Sequence, residues 1–262
     1  LNATARQLGI LFGPAVGAGL MLLFSPAMAL VANVVIYLPL TLWLIYVPYS
    51  GHLRKEGTAK RALAWQDIKD AIREGARNRP IITMVILGGS ASLFIGNVVQ
   101  TLMPAFANDL GAGEAGFAYS ALLMAGAAGA VFGGFLLEGK GWLHANVRNT
   151  ILCSILWCAA IAMFAASTNY YLSLVLLFCA GILNLALYSS AQAIVQIEAP
   201  AHLRGRLVGL FSMSAFGLRA FSGLTVGVVG SLIGIHWSLS LSAAALFAIT
   251  VGLLVSNWQR SV

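Results

Sequence analysis

Long apolar runs, separated by short clusters of charged or turn-forming residues, dominate the chain. A helix that crosses roughly 30 Å of hydrocarbon needs about 20 mostly apolar residues. The apolar runs predict spans at Leu8–Phe24, Ala27–Val47, Ile81–Phe106, Ala115–Leu137, Thr150–Ser167, Tyr171–Ile197, Leu207–Ile233 and Trp237–Asn257. Strands of a membrane barrel alternate apolar and polar positions, and runs such as Ala160–Ala166 and Ala243–Val255 do not. The pattern therefore predicts an all-α membrane protein with eight transmembrane helices.

The long polar stretch is Tyr49–Arg79. Within Leu63–Arg77, Trp65, Ile68 and Ile72 recur at helical spacing with charges between them, and Asp70–Arg73 and Glu74–Arg77 are i,i+3 pairs that support a helix. This helix either lies amphipathically on the inner membrane surface or belongs to a solvated linker. Pro80 suits the first turn of the following span. Two spans thus precede a cytoplasmic linker and six follow it. The expected division is the last two helices of an N-terminal bundle (1–48), a linker with an amphipathic helix (49–80) and a six-helix C-terminal bundle (81–262). Transporters built from two such halves place their site between the halves, near the bilayer midplane.

Composition sharpens this. With 60% hydrophobic and 9% charged residues and a mean hydropathy of +0.88, the chain is not an ordinary water-soluble globule, which carries about a quarter charged residues. The net charge of +7 would fit a nucleic-acid partner only if it formed a basic surface with aromatic or motif context. Its placement says otherwise. With alternate connections on one side, that side collects Arg6, Arg54, Lys55, Lys60, Arg61, Lys69, Arg73, Arg77, Arg79, Lys140, Arg148, Arg204, Arg206 and Arg260, which is every basic residue except Arg219. The opposite connections carry only Asp109 and Glu114. The positive-inside rule puts the basic side, and with it the C-terminus, in the cytoplasm; the expected location is a bacterial cytoplasmic (inner) membrane. Trp43, Tyr46 and Tyr49 at one interface and Tyr170, Tyr171 and Trp237 at the other read as aromatic belts. The expected partners are the lipid bilayer and a small-molecule substrate, with no nucleic acid. The chain opens on Leu1 with no charged-then-apolar leader, so it is expected to begin inside a longer protein.

Gly9, Gly13, Pro14 and Gly17 form G-x-x-x-G-P-x-x-G in the first span, a small surface that lets a neighbouring helix approach, with a proline that loosens the helix. It resembles the fifth-helix antiporter motif of major facilitator superfamily exporters, which usually ends in two adjacent glycines; here Ala18 follows Gly17. Gln196-Ile-Glu-Ala-Pro200-Ala-His-Leu-Arg204-Gly205-Arg206 resembles the Q-x-x-x-P-x-x-x-R-G-R connection before helix eleven in the branch that includes siderophore and macrolide efflux proteins. Pro200 stops one helix, and Arg204 and Arg206 anchor the next. Gly134-Phe-Leu-Leu-Glu138-Gly-Lys140-Gly141 is similar to the superfamily's G-x-x-x-D-R/K gating loop, with Glu138 in place of the aspartate. The opening Leu1–Arg6 is similar to the start of helix five in that branch. The resemblance covers the whole chain as helices five to twelve of a twelve-helix transporter, which implies that the N-terminal helices one to four are missing from it.

Arg219 lies about midway along Leu207–Ile233, where a charge costs roughly 2.5–3.5 kcal/mol and must face protein or a watery cavity. It reads as an anion-binding or gating charge, or as a structural arginine capped by carbonyls. Asn97, Gln100 and Thr101 share one face of their span, and Asn184, Tyr188 and Gln192 share one face of another; such stripes line a cavity or bond neighbouring helices. The resemblance makes these helices seven and ten, which line the cavity in the family. Small-residue faces at Ala125, Gly129 and Gly133, and at Gly223–Gly227 and Gly230–Gly234, read as packing surfaces. The spans at 150–167 and 237–257 lack polar stripes and read as outer, lipid-facing helices. Cys153, Cys158 and Cys179 lack metal-ligand spacing and read as packing residues. Neither a phosphate-binding G-x-x-x-x-G-K-[ST] loop nor a grouped His, Asp or Ser set at one interface is present, so no catalytic residue, metal or cofactor is expected and the chain is not read as an enzyme. The resulting expectation is export of a small organic molecule by alternating access, coupled to an ion gradient, with protons as the coupling ion. The alternative is a truncated, transport-inactive piece of such a transporter.

Overall fold

The computed structural model describes residues 26–47, 65–96, 98–111, 117–140, 145–223 and 227–258. The first expected span, with Gly9, Gly13, Pro14 and Gly17, lies outside the described residues, as does Asn97. Among the described residues all regular structure is helical: α1 (Pro26–Tyr46), α2 (Trp65–Arg77), α3 (Arg79–Phe94), α4 (Val98–Asp109), α5 (Phe117–Lys140), α6 (Val147–Ala166), α7 (Tyr170–Glu198), α8 (Arg204–Ser212), a π-helical turn (Met213–Gly217), α9 (Arg219–Gly223), α10 (Val229–Ile233) and α11 (Ile235–Trp258). Five stretches are long and apolar enough to cross a membrane: Arg79–Asp109, Ala118–Leu136, Val147–Ala166, Tyr170–Glu198 and Ile235–Asn257.

Local chemistry sets the ends. Asn78 caps α3 through its side-chain oxygen, which accepts from the Ile81 amide, and Pro80 sits in the first turn, where it removes no needed donor. Asn146 and Asn169 cap α6 and α7 in the same way. α7 stops at Glu198, two residues ahead of Pro200, as the proline requires.

The helices alternate in direction, and bonds at both ends hold them in register. At the basic end, the Asn78 side chain donates to the Glu198 carbonyl at 3.4 Å and that of Asn257 to the Thr83 hydroxyl at 3.5 Å. At the far end, the Tyr170 hydroxyl donates to the Ala118 carbonyl at 3.1 Å. Large side chains such as Phe132 and Phe135 on α5, Leu156 and Met163 on α6, and Phe247 and Val255 on α11 point outward, as a lipid solvent allows. Since lipid tails are as apolar as leucine, close van der Waals contact must hold the helices together. The closest approach joins α5 to α7: a Cβ on Gly129 would overlap the Phe178 carbonyl oxygen, one on Gly181 would overlap the Gly126 carbonyl oxygen, and one on Gly133 would sit 3.1 Å from the Ile182 Cα. The expected packing role of Gly129 and Gly133 is what these contacts show.

Several sequence expectations change. The span expected over Ile81–Phe106 is broken at Ile95–Gly96, where Gly96 adopts φ +33°, a conformation that side chains beyond Cα disfavour. The span expected over Leu207–Ile233 is interrupted after Ser212 by the π turn and divided into short helices. Its glycines Gly217, Gly223, Gly227 and Gly230 weaken an α-helix by about 1 kcal/mol each relative to alanine. Gly223, Gly227 and Gly234 meet nothing within 4 Å among the described residues, whereas the Cβ position of Gly230 lies 3.7 Å from Ser238 of α11, so only part of the packing surface read there is formed. α6 is not an outer helix: 50% of its apolar window is buried against 17% for α5, because α6 is held between α7 and α11. Cys153 and Cys158 are buried as expected, but Cys179 is exposed. The amphipathic helix α2 packs on α3 and α8, with the Leu207 side chain 3.1 Å from the Cβ position of Gly75. α1 stands apart from this packing: all its described side chains except Ala32 are exposed.

Gly129→Ala is expected to lower stability by about 1–3 kcal/mol through overpacking against α7. Gly252→Ala, at an open helical position, should be neutral or stabilising. Unfolding of the purified protein in mixed detergent micelles measures both.

Candidate functional site

The polar face of α7 runs along one side of the helix, each residue one turn from the next: Asn184 and Gln192 are half-buried and Tyr188 between them is buried. What faces Tyr188 comes from a different part of the chain. The π turn admits one residue more per turn than an α-helix, and it presents Phe216 and Arg219 together towards α7. The Phe216 and Tyr188 rings stack with centroids 5.8 Å apart. The Arg219 guanidinium carbon lies 5.1 Å from the Phe216 ring centre and 5.7 Å from that of Tyr188. Cation–π contact in a desolvated site is worth about 2 kcal/mol, comparable with the cost of an arginine at that depth.

The π turn is itself anchored on α3. The Ser214 hydroxyl donates to the Val85 carbonyl at 2.8 Å. The chain comes close there because α3 offers glycine: the Cβ position of Gly88 is 3.0 Å from Phe211, and that of Gly89 falls on the Ser214 hydroxyl. One turn beyond Arg219, the Ser222 hydroxyl donates to the Arg219 carbonyl at 2.7 Å, and it lies 2.7 Å from where a Cβ on Gly96 would be. The π turn therefore lies against the middle of α3, and α9, which begins at Arg219, lies against the α3–α4 break at Gly96.

The structure brings together Tyr188 and Arg219, with Asn184 and Gln192 on the same face of α7. Gln100 and Thr101 are exposed on α4, whose packing partners are α5 and α11, so this second stripe does not join the Tyr188 cluster. Gly134 packs against the Leu185 side chain. The side chains of Glu138 and Lys140 lie outside the described residues, although both belong to α5. Arg204 and Arg206 are exposed in the first turn of α8. Sequence reading missed Phe216, Ser214 and the Gly88–Gly89 pair; the paired glycines and the serines of Phe211–Ser214 were the available sign of a close helix crossing. A separate crevice of about 340 Å³ lies at the basic end, lined by Ala145, Asn146, Val147, Ile194, Ile197 and Glu198.

The family model described as Major Facilitator Superfamily matches residues 1–224. The chain belongs to the Major Facilitator Superfamily. No curated protein matches it as a relative. The chain is accordingly a multi-pass membrane protein of the major facilitator type, a transporter family whose members handle small molecules across the bilayer, and the Tyr188–Arg219 cluster is the polar centre of its described helices.

Arg219→Lys keeps the charge but loses the planar stacking on Phe216 and Tyr188. It is expected to lower the stability of the substrate-free major facilitator chain by about 0.5–2 kcal/mol, read as a lower melting temperature in detergent, while Gln100→Ala on exposed α4 leaves it unchanged.

Proposed function

We propose that this protein exports a small organic molecule by alternating access, driven by an ion gradient, with protons as the coupling ion. The observation that carries the reading is the convergence of Arg219 with the polar face of α7. Two stretches about 30 residues apart in sequence bring a guanidinium, a phenol and two carboxamides to the middle of apolar helices, where polar groups are kept for a function. Asn184, Tyr188, Gln192 and Arg219 are the substrate-facing set, with Asn97, Gln100 and Thr101 assigned to the same path from the other side. A guanidinium held between aromatic faces suits a substrate that pairs an anionic group with an apolar or aromatic body.

In the same reading residues 1–48 form the last two helices of an N-terminal bundle, 49–80 a cytoplasmic linker, and 81–262 a C-terminal bundle, with the C-terminus in the cytoplasm of a bacterial inner membrane. Gly9, Gly13, Pro14 and Gly17 supply a close-packing helix face. Gly134, Glu138 and Lys140, together with Arg204 and Arg206, form the gating connections at the basic end. The likeness of Gln196–Arg206 to the siderophore and macrolide efflux branch supports the outward direction.

Inverted vesicles carrying the full-length transporter should accumulate a labelled macrolide or siderophore when a proton gradient is imposed, and a protonophore should abolish the accumulation. Accumulation that survives the protonophore rejects proton coupling. Arg219→Ala is expected to reduce accumulation at least about 100-fold, as loss of a buried charge contact worth about 3 kcal/mol implies, with membrane insertion intact. Transport at the normal rate by that variant rejects its role.

A further inference from the structure

At the far end of the bundle, three helix ends meet on one imidazole. His236, in the first turn of α11, places Nδ1 2.6 Å from the Ala165 carbonyl oxygen at the end of α6. Its Nε2 lies 3.4 Å from a carboxylate oxygen of Asp109, the last residue of α4. The ring packs edge-to-face on Phe106, centroids 4.6 Å apart, and Phe106 in turn packs on Phe164 of α6 at 4.8 Å. Phe106 and Phe164 are fully buried, whereas His236 and Asp109 remain 39% and 48% exposed, open to protons from that side.

Both ring nitrogens therefore face oxygen atoms that can only accept. A neutral imidazole has one N–H and one lone pair, so either neutral tautomer turns a lone pair towards the Ala165 carbonyl or the Asp109 carboxylate. Only the imidazolium, with a donor on each nitrogen, satisfies both contacts. We propose that His236 and Asp109 form a proton-binding clasp that joins the far ends of α4, α6 and α11 when His236 is protonated; when it is neutral, the shorter contact, to the Ala165 carbonyl, keeps the one N–H on Nδ1, and the lone pair on Nε2 releases α4. Histidine is the side chain suited to such a switch between about pH 5 and 8. The clasp is complete at low pH and is lost as pH rises.

The surroundings leave the assignment simple. On α4 the only other polar end group near Asp109 is the uncharged Asn108, and α11 carries no ionisable group besides His236. α6 carries Arg148 at its opposite end and Cys153 and Cys158 along its length; α3 carries Arg79 at its opposite end; α5, which packs on α4, carries Tyr119 near this end and Glu138 and Lys140 at the other; α10 carries none. Asp109 is thus the one charged group that faces His236 from the described helices packed around it. Because α4 is separated from α3 by the break at Ile95–Gly96, its far end can swing without dragging α3. The inference is independent of the cargo and direction of transport proposed above, since it concerns only the binding of a proton and the separation of helix ends.

The test uses the full-length transporter in lipid nanodiscs, with Cys153, Cys158 and Cys179 replaced by alanine and spin labels at Asn108→Cys and Trp237→Cys, both exposed positions. The expected result is a short, narrow distance distribution at pH 5.5 that lengthens or broadens at pH 8. Asp109→Asn offers the lone pair of a neutral ring a donor, so this variant should show the same distribution at both pH values; His236→Gln should do likewise. Ring nitrogen chemical shifts from ¹⁵N-histidine protein, with His236 assigned by its loss in His236→Gln, should show both nitrogens protonated in the short-distance state. An unchanged distance between pH 5.5 and 8 in the parent protein overturns the proposal, as does a pH response that persists undiminished in Asp109→Asn. Should His236→Gln fail to fold, Asp109→Asn, which keeps the ring and its carbonyl partner, carries the test alone.

Discussion

The contact on which the rest of the bundle depends is the backbone approach of α5 and α7 at Gly126, Gly129 and Gly181. In water, burying leucine drives helices together; in lipid that gain vanishes, and a bundle must hold itself by dense contact and a few internal polar bonds. A methyl group at Gly129 or Gly181 would separate these helices. α7 is also the helix against which α3, α6 and α8 pack. Its position sets where Tyr188 lies, and through Tyr188 where a guanidinium from the next segment can be accommodated.

The second organising feature is a pair of irregularities. A long straight helix satisfies its own backbone and resists bending, so a membrane protein that must move or bind concentrates non-helical backbone where protein covers it. Here the π turn at Met213–Gly217 is anchored on α3 by Ser214 at Val85 and Gly89, while Ser222 of α9 lies against Gly96 at the α3–α4 break. Of the π turn, Ala215 is buried while Met213 is exposed, and the only charge well inside the expected spans, Arg219, stands just after it. Irregular backbone and a membrane-embedded charge coincide here, and at both it is side chains that make the contacts between helices.

The apolar spans, their capped ends and the segregation of basic residues were legible because each rests on local rules. Asn78 with Pro80, Asn146 and Asn169 are capping residues within a few positions of the turns they stabilise, and Pro200 ends α7 wherever the helix is packed. The polar face of Asn184, Tyr188 and Gln192 was legible for the same reason, being a matter of helical period. What periodicity could not reveal is which faces meet. Gln100 and Thr101 form as good a stripe as the one on α7, yet they are exposed on α4, which packs on α5 and α11. Phe216 completes the aromatic contact with Arg219 only because a π turn shifts the register by one residue, a displacement no apolar pattern records. The glycines Gly223 and Gly227 look identical in sequence to Gly129 and Gly133; only the second pair has a helix opposite it.

The ends of the bundle are chemically unlike, and this asymmetry gives the molecule a direction. The basic end carries many exposed cations, Arg79, Arg204 and Arg206 among them, each of which keeps its charge at any physiological pH and so acts as a permanent anchor. Among the described residues the far end holds a carboxylate and an imidazole in contact, Asp109 and His236. Permanent charge suits the end whose task is to stay at an interface; titratable charge suits an end whose contacts must be made and broken. Between the two ends stands Arg219, held against the rings of Tyr188 and Phe216. Among the described spans the only carboxylates stand at helix ends, Asp109 at the far end and Glu198 at the basic end. A proton that reaches the described helices from the far side meets Asp109 and His236 at their ends.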